Sequence, residues 1–225
     1  MSGTKISELT ALTIVAEGDT LAIVDISGSI TRKVTVGDLL TTQHPSYVVW
    51  NDVVVPLVGR AQPGAGGDGP TLKVFRDDGA GSEGVHQWAW PAGADKWLHF
   101  TMEIPHDWLL ESELRPHVHW SPSSAGSGNV VWALEYSMAE FETGTFGNTT
   151  TLAVTVAATE TAFDHLDAHM SAITMTGLTG VSTVLCGRIY RDTGSPDTYP
   201  DEVFGLNVGF HYQVDSLGSD EDESK

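Results

Sequence analysis

One cysteine, Cys186, stands alone among 225 residues. It can close no intramolecular disulfide, and no second thiol completes a zinc-finger or redox spacing. Its setting, STVLCGRIY, alternates as a strand does, so a buried structural thiol is expected there. Basic side chains are scarce too: 11 Lys and Arg against 30 Asp and Glu leave a net charge of −19. A surface that negative repels phosphate backbones and anionic lipid, which argues against direct nucleic-acid or membrane-surface partners. No apolar run reaches the roughly 18 residues of a membrane span. The stretch MSGTKISELTALTIVAEGD lacks the basic and apolar regions of a secretory signal, so synthesis in the cytosol is the expectation. Helical periodicity is nearly missing as well, with Glu160–Met170 the one candidate helix.

What the chain does have is a core and a period of two. Hydrophobic residues make up 40% of it, with seven Trp and seven Phe, enough to exclude a disordered polymer. Leu98, Phe100, Met102 and Ile104 share one parity, as do Val130, Trp132, Leu134, Tyr136 and Met138. The longest case sets Phe204, Leu206, Val208, Phe210, Tyr212 and Val214 against Gly205, Asn207, Gly209, His211 and Gln213. Such alternation describes sheets with one apolar face. Further strands are expected within 47–58, 149–156 and 183–190. The predicted fold is all-β, an antiparallel jelly-roll-like sandwich.

The predicted organisation has four parts: an arm over 1–40, a linker with peripheral strands over 41–84, the sandwich over 85–217 and an acidic tail over 218–225. In the arm, Leu21–Ile26 and Ile30–Val36 read as a hairpin joined by Ser27-Gly28-Ser29. Its apolar residues Leu21, Ile23, Val24, Ile26, Ile30, Val34 and Val36 populate both faces of the ribbon. A lone hairpin is marginal in water, so the missing cover is expected from another subunit or protein, with packing on its own downstream domain the alternative, and these residues are the candidate interface. Residues 36–40 suggest one helical turn and 41–46 a linker. The glycine-rich stretch 62–70 reads as a surface loop, because no Lys-Ser/Thr or helix follows to make it a phosphate cradle. The tail reads as solvated.

Histidines supply the candidate chemistry. His117 and His119, at i and i+2 of one strand, point the same way. His99, His211 and Glu135 lie opposite their strands' apolar sets, so with Arg115 these six residues are expected to form one polar patch. Two imidazoles and a carboxylate suffice for Zn²⁺ or Fe²⁺, and a cupin-like metal enzyme is the catalytic alternative. The spacing departs from the cupin pattern, since the first acid after His119 is Glu135. A hydrogen-bonded network is therefore expected, with no metal, no cofactor and no enzymatic activity. No nucleophile elbow is present, and the tryptophans, Trp88 and Trp90 among them, are expected to fill core or interface in preference to a sugar platform.

Three stretches carry a family resemblance. Met102–Trp108, Arg115–Pro122 with Val131–Tyr136, and a C-terminal set of 188–192, 197–199, 209–215 and 218–219 resemble a group of tailed-bacteriophage virion proteins over roughly residues 85–219. Lys5–Leu9, Asp19–Asp25 and Thr31–Leu40 resemble an N-terminal segment recurrent in phage fibre and decoration proteins. The resemblance implies a homotrimer in the virion, a capsid decoration, cement or head-fibre protein whose arm binds the major capsid protein or another virion protein. A tail-fibre adhesin is the alternative. The absence of long heptads or repeats implies a short knob, which favours the capsid surface.

Overall fold

The computed structural model describes residues 20–25, 30–35, 49–57, 69–142, 144–178 and 182–214. Strands β1 (Thr20–Asp25) and β2 (Ile30–Thr35) pair antiparallel, Thr20 opposite Thr35 and Asp25 opposite Ile30, as a two-stranded sheet of their own. The expected hairpin is there in its backbone. The side chains of Leu21, Ile23, Val24, Ile30 and Val34 lie outside the described residues, as do Ile26, Val36, the helical turn at 36–40, the linker at 41–46, the loop over 62–68 and the acidic tail.

Ten further strands form two antiparallel sheets. One has six strands: β3 (Val49–Pro56), β4 (Thr71–Arg76), β5 (Val85–Trp90), β7 (Arg115–Pro122), β10 (Leu166–His169) and β12 (Val203–Val214). The other runs in the order β6 (Lys96–Glu103), β11 (Val184–Arg191), β8 (Asn129–Ala139), β9 (Thr150–Ala157). The fold is all-β and jelly-roll-like, and the described residues include no helix. β3 and β4, expected as peripheral, are hydrogen-bonded members of the six-stranded sheet.

The sheets meet over a single aromatic core. Trp90, Trp120 and Trp132 have no exposed surface, and Trp90 crosses from one sheet to meet Trp132 of the other edge-on, at 5.3 Å and 76°. Phe100 and Phe210 make a second cross-sheet contact at 6.0 Å. Leu98, Phe100, Met102 and Ile104 are all buried, as their parity requires. Trp88 is half-buried, with its indole N–H donating to the Leu57 carbonyl at 2.9 Å.

β12 departs from uniform alternation. It pairs with β5 over 203–205 and with β3 over 207–214 along one edge, and with β7 along the other, where the register shifts between Gly205 and Asn207. An extra residue in one strand reverses which side chains point inward beyond it. Val208, Phe210 and Tyr212 join the core together with Val203, whereas Phe204 packs outside it against Phe75 and Phe163, at 5.0 and 6.2 Å. The expectation that Phe204 shares the face of Phe210 is corrected by this bulge.

Two other expectations fail for identifiable reasons. The candidate helix over 160–170 is a turn followed by β10. Glu160 and Phe163 adopt φ of 58° and 63°, a left-handed geometry incompatible with a right-handed helix. Leu166 and Ala168 then face inward opposite Trp120 and Val118, which is strand periodicity over four residues. Cys186 is exposed. Leu185 and Ile189 take the inward positions of β11, so Cys186 points out, 3.9 Å from the Thr101 hydroxyl. A small side chain fits either face of a strand, and its apolar neighbours decide which.

Loops anchored by polar groups close the two ends of β12. Before it, Arg191 is wholly buried and its guanidinium donates to Asp197 through Nε and Nη2, at 2.9 and 2.7 Å, and to the carbonyls of Tyr199 and Asp201. Asp197 also accepts the Val131 N–H at 3.0 Å, so the pair ties the 192–202 loop to β8. Beyond the other end, Leu109 N–H donates to Gln213 O, and Tyr212 donates to Asp107 at 3.0 Å while accepting from Asn51 at 2.9 Å.

Asp197→Ala leaves a buried guanidinium without its counter-ion and should cost about 3–5 kcal/mol, read as a lowered midpoint in urea unfolding. Burial, followed by the Asp107 carboxylate, pushes the Tyr212 phenol up to about 12 from 10.0. The folded state therefore holds a proton that the unfolded chain has lost between these values, so stability should fall as pH rises from about 10 to about 12. Ultraviolet titration of the phenols checks this, with the late component disappearing in Tyr212→Phe.

Candidate functional site

The outer face of the six-stranded sheet collects imidazoles because three strands register their outward positions. His117 of β7 lies opposite His169 of β10 on one side and Gly209 of β12 on the other. Arg115 lies opposite His211, and His211 opposite Asp52 of β3. Directly paired residues in an antiparallel ladder share a face. The His117 ring stacks on His211 at 4.3 Å, with His119 at 5.0 Å and His169 at 5.4 Å. His119 Nδ1 is 2.9 Å from His165 Nε2, and Arg115 lies over the Trp50 ring at 4.3 Å while pairing with Glu113.

Gly209 makes this packing possible. A Cβ there would overlap the His117 ring, so the ring occupies space that a side chain on β12 would otherwise fill. His117 is only 2% exposed, and its Nδ1 is buried without a hydrogen-bond partner of good geometry. Its Nε2 stands 3.9 Å from Asp52 Oδ2. Burial lowers the affinity of both His117 and His119 for a proton, opposed in each case by neighbouring carboxylates. Each is thereby biased toward the neutral imidazole, which can accept a hydrogen bond or ligate a metal.

The expected patch of six residues divides between the two sheets. His117, His119, His211 and Arg115 come together on the six-stranded sheet, whereas His99 and Glu135 lie on the outer face of the four-stranded one. Alternation tells which way a side chain points relative to its own sheet but not which sheet it belongs to. On that second face Arg188 pairs with Glu135, Nη2 to Oε2 at 2.6 Å, and lies 5.0 Å from both the Trp97 and Tyr190 rings. The Thr149 hydroxyl and then Arg188 hold the Glu135 carboxyl below its usual range. An open groove of about 370 Å³ is lined there by His99, Thr101, Glu135, Ser137, Cys186 and Arg188, among others.

His165, His169 and Asp52 were missed by sequence reasoning. His169 follows Asp167 by two positions in LDAH, the same i, i+2 spacing that identified His117 and His119, but the candidate helix obscured it.

No protein-family model matches the chain, and no curated protein sequence matches it. Among solved structures it is similar to isomalto-dextranase from Arthrobacter globiformis T6 complexed with panose, at TM-score 0.42 and 13% identity over 71% of this chain and 23% of that one. It is also similar to a structure of infectious bursal disease virus, Gx strain, at TM-score 0.37 and 10% identity over 88% and 37%. TmCBM61 in complex with β-1,4-galactotriose gives TM-score 0.32 and 11% identity over 73% and 88%. The chain thus spans about a quarter of the first of these proteins and just over a third of the second.

Gly209→Ala should destabilise the fold by about 1–3 kcal/mol by forcing the His117 ring out of its place. In a His117→Ala background the same substitution should cost much less. A double-mutant cycle in urea unfolding measures that coupling.

Proposed function

We propose that this protein is a non-enzymatic structural part of a tailed-bacteriophage particle, a trimeric decoration or head-fibre component joined to the major capsid protein or another virion protein through its N-terminal hairpin. The observation that carries this reading is the separate two-stranded sheet of β1 and β2, hydrogen-bonded into neither sheet of the sandwich. Two strands alone bury too little to be stable, and in the sequence the apolar residues over 21–36 fall on both parities. Burial against a neighbouring protein supplies the missing cover, and the resemblance of residues 5–9, 19–25 and 31–40 to phage fibre and decoration proteins gives that neighbour its identity. In this role the protein works by mass action and buried area, each trimer bridging subunits of the shell. The net charge of −19 is consistent with a protein partner in preference to the packaged genome.

An adhesin role at the tail is the second reading. It is favoured by the groove beside Arg188, where Trp97 and Tyr190 offer aromatic surface next to hydrogen-bonding side chains.

Removing residues 1–40 should abolish binding to particles that lack this protein while leaving the thermal transition of the sandwich intact. Retained binding, or loss of the folded sandwich, overturns the attachment model. A mass-spectrometric copy count on intact particles separates the two locations: lattice-like abundance supports decoration, and a few copies per particle support the tail.

A further inference from the structure

The imidazole cluster has more nitrogen donors than its hydrogen bonds use. His119 and His165 satisfy one another at 2.9 Å. His117, His169 and His211, one from each of three adjacent strands, each offer a ring nitrogen, and the three nitrogens lie within 4.8 Å of one another. Of these rings, His117 is fully enclosed yet leaves Nδ1 without a good partner, an arrangement that costs free energy unless something accepts or donates there.

We propose that His117, His169 and His211 form a three-imidazole site for a divalent first-row transition metal, Zn²⁺ above all, which ties β10, β7 and β12 together across the outer face of the sheet. Zn–N bonds of about 2.0–2.1 Å in a tetrahedral site place ligand nitrogens about 3.3–3.4 Å apart. Closing the remaining gap requires His169, whose side chain is 58% exposed, to rotate and the His211 ring to tilt out of its 24° stack on His117. The surroundings suit a cation. Asp167 Oδ2 is 2.7 Å from His169 Nε2, and a carboxylate on one ring nitrogen with a metal on the other is the usual support of a ligating histidine. Asp52 Oδ2, 3.9 Å from His117 Nε2, brings a second negative charge to the fourth side. Three nitrogens without a thiolate favour Zn²⁺, Ni²⁺, Cu²⁺ or Co²⁺ over Ca²⁺ and Mg²⁺, which require oxygen donors.

The site would serve as a staple. β10 has four residues and lies at the edge of its sheet, so its pairing is the easiest of the three to lose. A metal held by His169 and by two strands further in resists that fraying. This proposal does not depend on the virion role, and its test reads the metal alone.

The full chain, stripped with a chelator and dialysed, is titrated with zinc chloride in a calorimeter, and bound metal is counted by elemental analysis after a second dialysis. One zinc per chain is expected, with a melting temperature raised by about 5–10 °C at a hundredfold excess over Kd. His169→Ala changes an exposed side chain and should keep the metal-free melting temperature while weakening zinc at least tenfold; His211→Ala should do the same. His86→Ala, on another part of the sheet, should bind as the parent does. Cobalt chloride in place of zinc should give visible ligand-field absorption that His169→Ala abolishes. No stoichiometric zinc in the parent chain overturns the proposal, as does zinc bound equally well by His169→Ala and His211→Ala, which would assign it to the acidic surface.

Discussion

The irregularity in β12 is the constraint on which the rest of the sandwich depends. A single strand of twelve residues serves as neighbour to β5, β3 and β7. Against β7 its register shifts between Gly205 and Asn207, while along the other edge its first part pairs with β5 and its second with β3. The shift fixes which side chains face in. Beyond the shift, Val208, Phe210 and Tyr212 press into the core, so Gly209 and His211 must face out. The inner packing and the outer imidazole cluster are two consequences of one backbone feature. Gly205 belongs to the same arrangement, because a Cβ there would run into the Trp90 ring.

Arg191 and Arg188 occupy the same strand yet illustrate opposite uses of an ion pair. Arg188 and Glu135 meet on an outer face with side-chain exposures of 33% and 22%, where solvent screens the attraction and the net effect on stability is small. Arg191 and Asp197 meet with 0% and 3% exposed, and every donor on the guanidinium that the loop can reach is directed at an oxygen. The buried pair specifies the path of the loop leading into β12, since any other path strands a charge in the interior. The exposed pair leaves its face adaptable. Loop geometry near β12 is thus set by charge.

Legibility in the sequence followed the physics of half-buried sheets. Where a strand has one wet face, alternation over eight or more residues is strong, and β6, β8, β9 and β11 could be read directly. Parity carries no information about partners, so the six polar residues read as a single patch occupy opposite sides of the sandwich. Short or interrupted patterns hid the remainder: β10 has four residues, the bulge splits the alternation of β12, and Cys186 is small enough to fit either face. Arg191 and Asp197 gave no periodic signal because their partnership is a matter of loop closure. The tripling of histidines at 117, 169 and 211 needed the strand order β10-β7-β12, which no local pattern contains.

The division of labour between hairpin and sandwich follows from how much each can bury. The sandwich encloses four tryptophans completely, Trp90, Trp108, Trp120 and Trp132, and burying a side chain of that size contributes several kcal/mol at about 25 cal/mol per Å². Its two sheets cover one another's apolar faces. A ribbon of two six-residue strands has no second sheet to face. Under the proposed function a partner encloses this ribbon, and the free energy of that burial appears as affinity instead of monomer stability. Under the proposed function, attachment through the hairpin and independence of the sandwich are the same argument seen from its two ends.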